Sequence, residues 1–161
     1  MRFVRVLAAF GLCVLPGVSQ EFPQQWAAAG ATFNQYAAPQ INGLAVYAHR
    51  LTSNEHPMYS FSVINILSVQ RSPFRVMTTT ETGVAQYLTT FGAFRVYGIG
   101  TLGLATAGSG DGTNTGMVFT GGGLAQASIG KGWTVGPLVR IVKPTIGDRQ
   151  WAAGLVIGWG K

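Results

Sequence analysis

The sequence predicts an all-β fold: a closed, antiparallel, up-and-down β-barrel of about eight strands that crosses a membrane. Three observations predict it. The stretch Trp151–Trp159 alternates an apolar row (Trp151, Ala153, Leu155, Ile157, Trp159) with a small one (Ala152, Gly154, Val156, Gly158). Successive strand side chains point to opposite faces, so one face is greasy over a membrane-crossing length, with an indole at each end. The chain is also 47% hydrophobic, with 10% charged residues and 23 glycines. Beyond its leader, however, no run approaches the roughly 18 apolar residues that a membrane helix needs. Finally, alternating segments separated by turn residues recur along the chain, without a useful stretch of the helical period.

Residues 1–19 read as a cleaved secretory signal peptide. Arg2 and Arg5 form a positive start, Val6 to Leu15 an apolar run too short to span, and Pro16-Gly17-Val18-Ser19 a small-residue cleavage region. Leu12 precedes Cys13 where a lipidation signal has a small residue, so Cys13 reads as part of the leader. Residues 20–161 are then one β-barrel domain without cysteine, which excludes a disulfide scaffold and thiol chemistry. Without Arg2 and Arg5, nine Lys and Arg face five Asp and Glu, a net charge of +4. These charges are scattered singly, whereas nucleic-acid binding shows a clustered patch, so no nucleic-acid partner is expected. A mildly basic surface is compatible with anionic lipid headgroups or lipopolysaccharide.

After the polar lead Gln20 to Gln25, an Ala-rich strand runs from Trp26 to Tyr36, and Pro39 marks a turn. The second strand spans Ile41 to about Leu51, with Ile41, Gly43, Ala45 and Tyr47 on one face; a polar loop from Thr52 to Pro57 follows. The third, Met58 to Gln70, puts Tyr59, Phe61, Val63, Leu67 and Val69 on one face and Ser60, Ser62, Ile64, Ile66 and Ser68 on the other. Asn65 interrupts the greasier face. Arg71-Ser72-Pro73 turns the chain into a Thr-rich segment, Phe74 to Thr90. It is read as one strand extending past the membrane; a turn at Glu81-Thr82-Gly83 would instead give nine strands.

Phe91-Gly92-Ala93 forms a tight turn into a fifth strand, Phe94 to Ala105, and Gly108 to Asn114 reads as the longest loop. The sixth strand, Gly116 to Ile129, ends at the turn Gly130-Lys131-Gly132. In the seventh, Trp133, Val135, Pro137, Val139 and Ile141 share a face. Proline cannot donate to a ladder, so a local irregularity is expected at Pro137. Gly147-Asp148-Arg149 leads to the final strand. An even strand count with short connections permits closure, which removes exposed edges. With both termini on the inner side, the long Gly108–Asn114 loop faces outward and two of three inner turns are tight.

The signal peptide, the alternating strands, the segment Phe94-Arg-Val-Tyr-Gly-Ile-Gly100 and the Trp-flanked final strand together resemble small outer-membrane β-barrels of the OmpA/OmpX type. The resemblance covers residues 26–160 and rests on patterns rather than on a signature. It implies insertion by the barrel-assembly machinery, which reads a terminal aromatic residue; here Gly160 and Lys161 follow Trp159 and displace that signal by two positions. No peptidoglycan-binding domain follows the barrel in this sequence.

Two sets of residues stand out. Trp133, Trp151, Trp159 and Tyr59 are read as a lipid-facing aromatic girdle. Arg75, Glu81, Arg95 and Arg140 lie within strands and are expected to face the barrel interior, because a charge at the lipid midplane costs about 2–4 kcal/mol. Buried charge needs partners, and Glu81, Gln86, Gln126 or water are expected to supply them. These residues are read as filling and fixing the interior, with solute conduction or gating as the alternative.

No catalytic, cofactor or metal site is assigned. An outer-membrane lipid A deacylase resembles the chain in size and uses His, Ser and an acid. It has Ser two residues after its His; here Leu51 holds that place and Ser53 comes four after His49. His49, Glu55 and His56 lie in sequence proximity without the spacing of a zinc site. Gly121-Gly122-Gly123 and Gly108-Ser-Gly-Asp-Gly112 lack the Lys-Ser/Thr of a phosphate-binding loop.

The expected function is therefore that of a non-enzymatic barrel of the bacterial outer membrane, exported through its signal peptide. Its role would be structural, adhesive or in surface interaction, among outer-membrane lipids and lipopolysaccharide. A soluble secreted barrel binding a small apolar ligand in its lumen is the alternative, and a lipid-modifying enzyme a third reading. Inward-packed Trp133, Trp151 and Trp159 would favour the soluble barrel, outward ones the membrane barrel.

Overall fold

A computed structural model describes residues 22–34, 42–53, 55–71, 74–109 and 112–161. The leader, the Pro39 turn, Ser72-Pro73 and Gly110-Asp111 lie outside the described residues. Eight strands follow in order: β1 (Gln25–Asn34), β2 (Asn42–Arg50), β3 (Met58–Arg71), β4 (Phe74–Phe91), β5 (Phe94–Ser109), β6 (Gly112–Gly130), β7 (Trp133–Pro144) and β8 (Gln150–Gly160). Each pairs antiparallel with the next, and β8 pairs with β1 from Trp26↔Gly160 to Asn34↔Ala152, closing the barrel. The Thr-rich segment is a single strand: Glu81, Thr82 and Gly83 pair on both sides, with Val63, Ser62 and Phe61 and with Gly103, Leu102 and Thr101.

Turn chemistry fixes the end of the barrel that carries both chain ends, here called the terminal end. Gly92 between β4 and β5 has φ 57°, and Gly130-Lys131-Gly132 between β6 and β7 has φ 105°, 50° and 82°. Such left-handed geometry suits glycine, which has no Cβ to clash. Glycine also sets the closing seam. A Cβ on Gly154 of β8 would run into the Ala31 carbonyl oxygen of β1, and one on Gly30 of β1 would run into the Leu155 carbonyl oxygen of β8. The two strands meet that closely because both positions are bare.

The segment Gly108–Asn114 is not the long loop expected. β5 continues to Ser109 and β6 begins at Gly112, with Ala107↔Asn114, Gly108↔Thr113 and Ser109↔Gly112 still paired. Strands β4, β5 and β6 have 18, 16 and 19 residues, against 10 and 9 for β1 and β2. A membrane-crossing strand needs about 9–11. At the end opposite the termini, the far end, β4–β6 therefore continue beyond the level where lipid dictates alternation. There Gly112, Thr113, Asn114 and Thr115 of β6 are all exposed, so the alternation vanishes while the ladder with β5 persists.

At Pro137 the expected irregularity is a lapse in the ladder rather than a slip. β6 and β7 pair down to Leu124↔Leu138 and resume at Ala127↔Val135 in unchanged register, omitting the stretch opposite Gly136 and Pro137. On its β8 side Pro137 pairs with Leu155 in regular register.

Candidate functional site

Two surfaces decide what this barrel can do, its outer wall and its interior. On the wall, Trp133, Trp151 and Trp159 point outward and are 49%, 49% and 45% exposed. Trp133 and Trp159 are cross-strand partners at the terminal end, and Trp151 pairs with Ile141 toward the far end. Between these levels stand exposed Val139, Leu155, Ile157, Ile64, Leu102 and Phe119. The distance from Trp151 to Trp159 is about 26 Å along the strand at roughly 3.3 Å per residue. At the usual tilt of about 40° it spans about 20 Å of membrane normal, near the height of an outer-membrane apolar band.

Charged side chains keep to the ends. Lys131, Lys161 and Glu55 are exposed at the terminal end, and Lys143, Asp148 and Arg149 at the far end. Among the described outward positions between the two indole levels there is no Lys, Arg, Asp or Glu.

Tyr59 belongs to the other surface, which corrects its assignment to the girdle. It is 3% exposed and packs inside the barrel with Phe61 and Tyr97, the Tyr97 ring edge-on at 6.0 Å. Both faces of β3 carry apolar residues, so alternation alone does not say which one faces lipid. Asn65 was the available signal: it shares the Tyr59 face and is buried among polar groups, whereas Ile64 and Ile66 face out.

The interior is filled in layers. Nearest the terminal end is an apolar cluster that includes Trp26, Phe61, Tyr97, Leu124 and Leu138; toward the far end is a second, with Leu67, Met77, Val118 and Val142. Between them lies a polar layer centred on Glu81 and Arg140, which are 2% and 1% exposed. Arg140 Nη2 donates to Glu81 Oε2 at 2.5 Å. Thr101 Oγ1 donates to the same oxygen at 2.5 Å, and Thr79 Oγ1 donates to Oε1 at 2.6 Å. With its amide set to suit both neighbours, Asn65 accepts from Arg140 Nη1 at 3.2 Å and donates to the Gly43 carbonyl at 3.2 Å. Asn34 Nδ2 donates to Gln150 Oε1 at 2.9 Å, beside Val142 and Ala152 of the second apolar cluster.

The four expected interior charges thus have different settings. Glu81 and Arg140 are brought together. Arg95 is half-buried at the terminal end, with its guanidinium 4.5 Å from the centre of the Phe22 ring. Arg75 pairs with Gln70 in the β3–β4 ladder, and its side chain lies outside the described residues. The glutamines expected beside the arginines have other hydrogen-bond partners as well. Gln86 donates to the carbonyls of His56 and Tyr87, and Gln126 donates to Thr134, which also accepts from the Trp26 indole. Sequence reasoning missed Thr79, Thr101 and Asn65, because hydroxyl and amide residues within strands look alike whether they face a charge or solvent.

A cavity bounded by Trp26, Tyr59, Phe61 and Tyr97 has a volume of about 10 Å³, room for about one water. Ser53, Glu55 and His56 are exposed on the connection between β2 and β3, and His49 is half-buried on β2. The His56 ring lies 5.7 Å from that of Tyr87. Among the described residues no three His, Cys, Asp or Glu side chains are grouped as a metal site would require.

No protein-family model and no curated protein matches the chain. Among solved structures it is similar to the crystal structure of Ail, the attachment invasion locus protein of Yersinia pestis, with a TM-score of 0.52 and 9% identity over 87% of this chain and 99% of that one. The same Yersinia pestis protein in a phospholipid bilayer nanodisc matches at TM-score 0.49 and 8% identity, over 86% and 100% of the two chains. A de novo designed transmembrane β-barrel matches at 0.42 and 10%, over 86% and 98%. At 9% identity the first likeness speaks to fold, and the fold is that of the small eight-stranded outer-membrane barrels.

Proposed function

We propose that this protein is a non-enzymatic barrel of the bacterial outer membrane, exported by a cleaved signal peptide. It would serve the envelope structurally or by surface contact through the far ends of β4, β5 and β6. The carrying observation is the uncharged apolar outer belt, bounded by Trp151 at one level and by Trp133 and Trp159 at the other. A soluble barrel would have to expose that belt to water, where large contiguous apolar patches promote association. The filled interior supports the same reading, since two layers of buried apolar side chains close the described lumen and the cavity among Trp26, Phe61 and Tyr97 holds only about 10 Å³. Outer-membrane lipids and lipopolysaccharide are the partners such a belt requires, and Ail is a neighbour whose name speaks of attachment and invasion. The barrel-assembly machinery is the proposed route of insertion.

The test is membrane fractionation combined with gel mobility before and after heating. The protein is expected in the outer-membrane fraction, extracted only by detergent, with a compact unheated band. Recovery in the aqueous fraction without detergent overturns the proposal.

A further inference from the structure

Residues Phe22, Pro23 and Gln24 cross the mouth of the barrel at its terminal end, and the wall holds them by every consecutive carbonyl. Arg50 Nη1 donates to the Phe22 carbonyl at 2.9 Å, the Tyr59 hydroxyl to that of Pro23 at 3.1 Å, and the Arg50 backbone amide to that of Gln24 at 2.9 Å. The Gln24 amide in turn donates to the Lys161 carbonyl at 2.9 Å. The Phe22 ring has its own seat: Tyr87 meets it edge-on at 4.9 Å and the Arg95 guanidinium lies 4.5 Å from its centre. Proline lacks an amide donor and cannot extend a ladder. The β1–β2 pairing accordingly stops at Gln25↔His49, and the chain bends across the opening. Pro23 then borders the small cavity, above Trp26, Phe61 and Tyr97.

We infer that Phe22–Gln24 is a releasable seal. It is an intramolecular ligand in a cradle made by Arg50, Tyr59, Tyr87 and Arg95, a site that takes an aromatic side chain followed by an extended, proline-containing backbone. Phe22–Gln24 lies on the rim, ahead of the continuous strand pairing that begins at Gln25, so releasing the segment leaves the closed ladder intact. Release exposes an apolar, aromatic vestibule that is otherwise shielded from water. Cation–π and edge-on aromatic contacts at a half-exposed rim are modest attractions, so the seal is the part of the barrel that opens most readily. The inference does not depend on the membrane assignment.

A thiol reporter tests it. In the full chain with Cys13→Ala, Ala48→Cys places a single thiol on the vestibule wall, where Ala48 is buried and lines the cavity. Labelling by a water-soluble maleimide is followed in detergent micelles, with the compact unheated gel band certifying a folded barrel. Phe22→Ala, alone and with Arg50→Ala, is expected to speed labelling by about tenfold or more, as weakening a local closed state should. Phe22→Tyr is expected to keep the protection. Ala85→Cys, lining the same cavity, replaces the reporter if Ala48→Cys does not fold. Folded Phe22→Ala protein that labels within about twofold of its parent overturns the inference. So does a parent that labels as fast as the urea-unfolded chain.

Discussion

Glu81 on β4 and Arg140 on β7, 59 positions apart in sequence, form an ion pair 2.5 Å long inside the barrel, sandwiched between two apolar layers. The acid accepts three hydrogen bonds, from Arg140, Thr101 and Thr79, so nearly all of its lost hydration is replaced. Removing one partner strands the other charge in a buried site, which costs about 3–5 kcal/mol. Glu81→Gln and Arg140→Met alone are each expected to lower stability by about that much. The double variant should lose clearly less than the sum of the two. Urea titration of the refolded barrel measures all three, and additive losses would show that the pair is not energetically coupled.

The outer belt makes a depth-dependent prediction. Leu155 lies midway along the outward row of β8, and Trp159 lies at its terminal-end limit. Arginine at Leu155 faces the bilayer midplane and is expected to cost about 2–4 kcal/mol, whereas at Trp159 the charge effect falls to about 0–1 kcal/mol, before the lost indole is counted. Equilibrium folding into lipid vesicles reads both. Equal costs at the two positions would contradict the proposed placement of the lipid.

How much of this was legible follows from where lipid or water dictates the pattern. β8 was readable in full because one of its rows is large and the other small, so only one orientation leaves room inside. The segment Phe74–Phe91 was only half readable: Thr78-Thr79-Thr80-Glu81-Thr82 carries no hydropathy alternation, so a single strand and a turn at Glu81-Thr82-Gly83 both fitted the sequence, and the pairing on both sides decides for the single strand. β3 misled over Tyr59, since its two rows are both apolar and only Asn65 marks the inner one. The Gly108–Asn114 segment misled because small polar residues are shared by turns and by strands standing in water. The seal at the terminal end left no sequence signal at all: Phe22 and Arg95 are far apart in the chain, and only closure brings them together.

The layered interior predicts electrical silence. Trp26, Phe61 and Tyr97 block one side of the ion pair and Leu67, Met77 and Val118 the other, and an eight-stranded barrel has room for side chains but not for an open channel. Reconstituted in planar bilayers, the protein is expected to give no stepwise currents. The double variant Glu81→Gln/Arg140→Met should stay equally silent, because the apolar layers are untouched. Discrete openings in the parent would refute the filled lumen, and openings in the double variant alone would make the ion pair the barrier.

The closing seam offers the sharpest local test. Gly154 faces Thr32 across β8 and β1, and any Cβ there meets the Ala31 carbonyl oxygen, a backbone atom that cannot turn aside. Gly43 on β2 is also within the barrel wall, but a Cβ there has nothing within 4 Å. Valine, whose branched side chain otherwise suits a strand, therefore has opposite consequences at the two sites. Gly154→Val is expected to prevent β1 from docking on β8, abolishing the compact unheated gel band. Gly43→Val should retain it, with stability within about 1 kcal/mol of the parent. A Gly154→Val protein that still migrates as a compact barrel would mean that the seam can widen, and that bare positions are not what sets the distance between the first strand and the last.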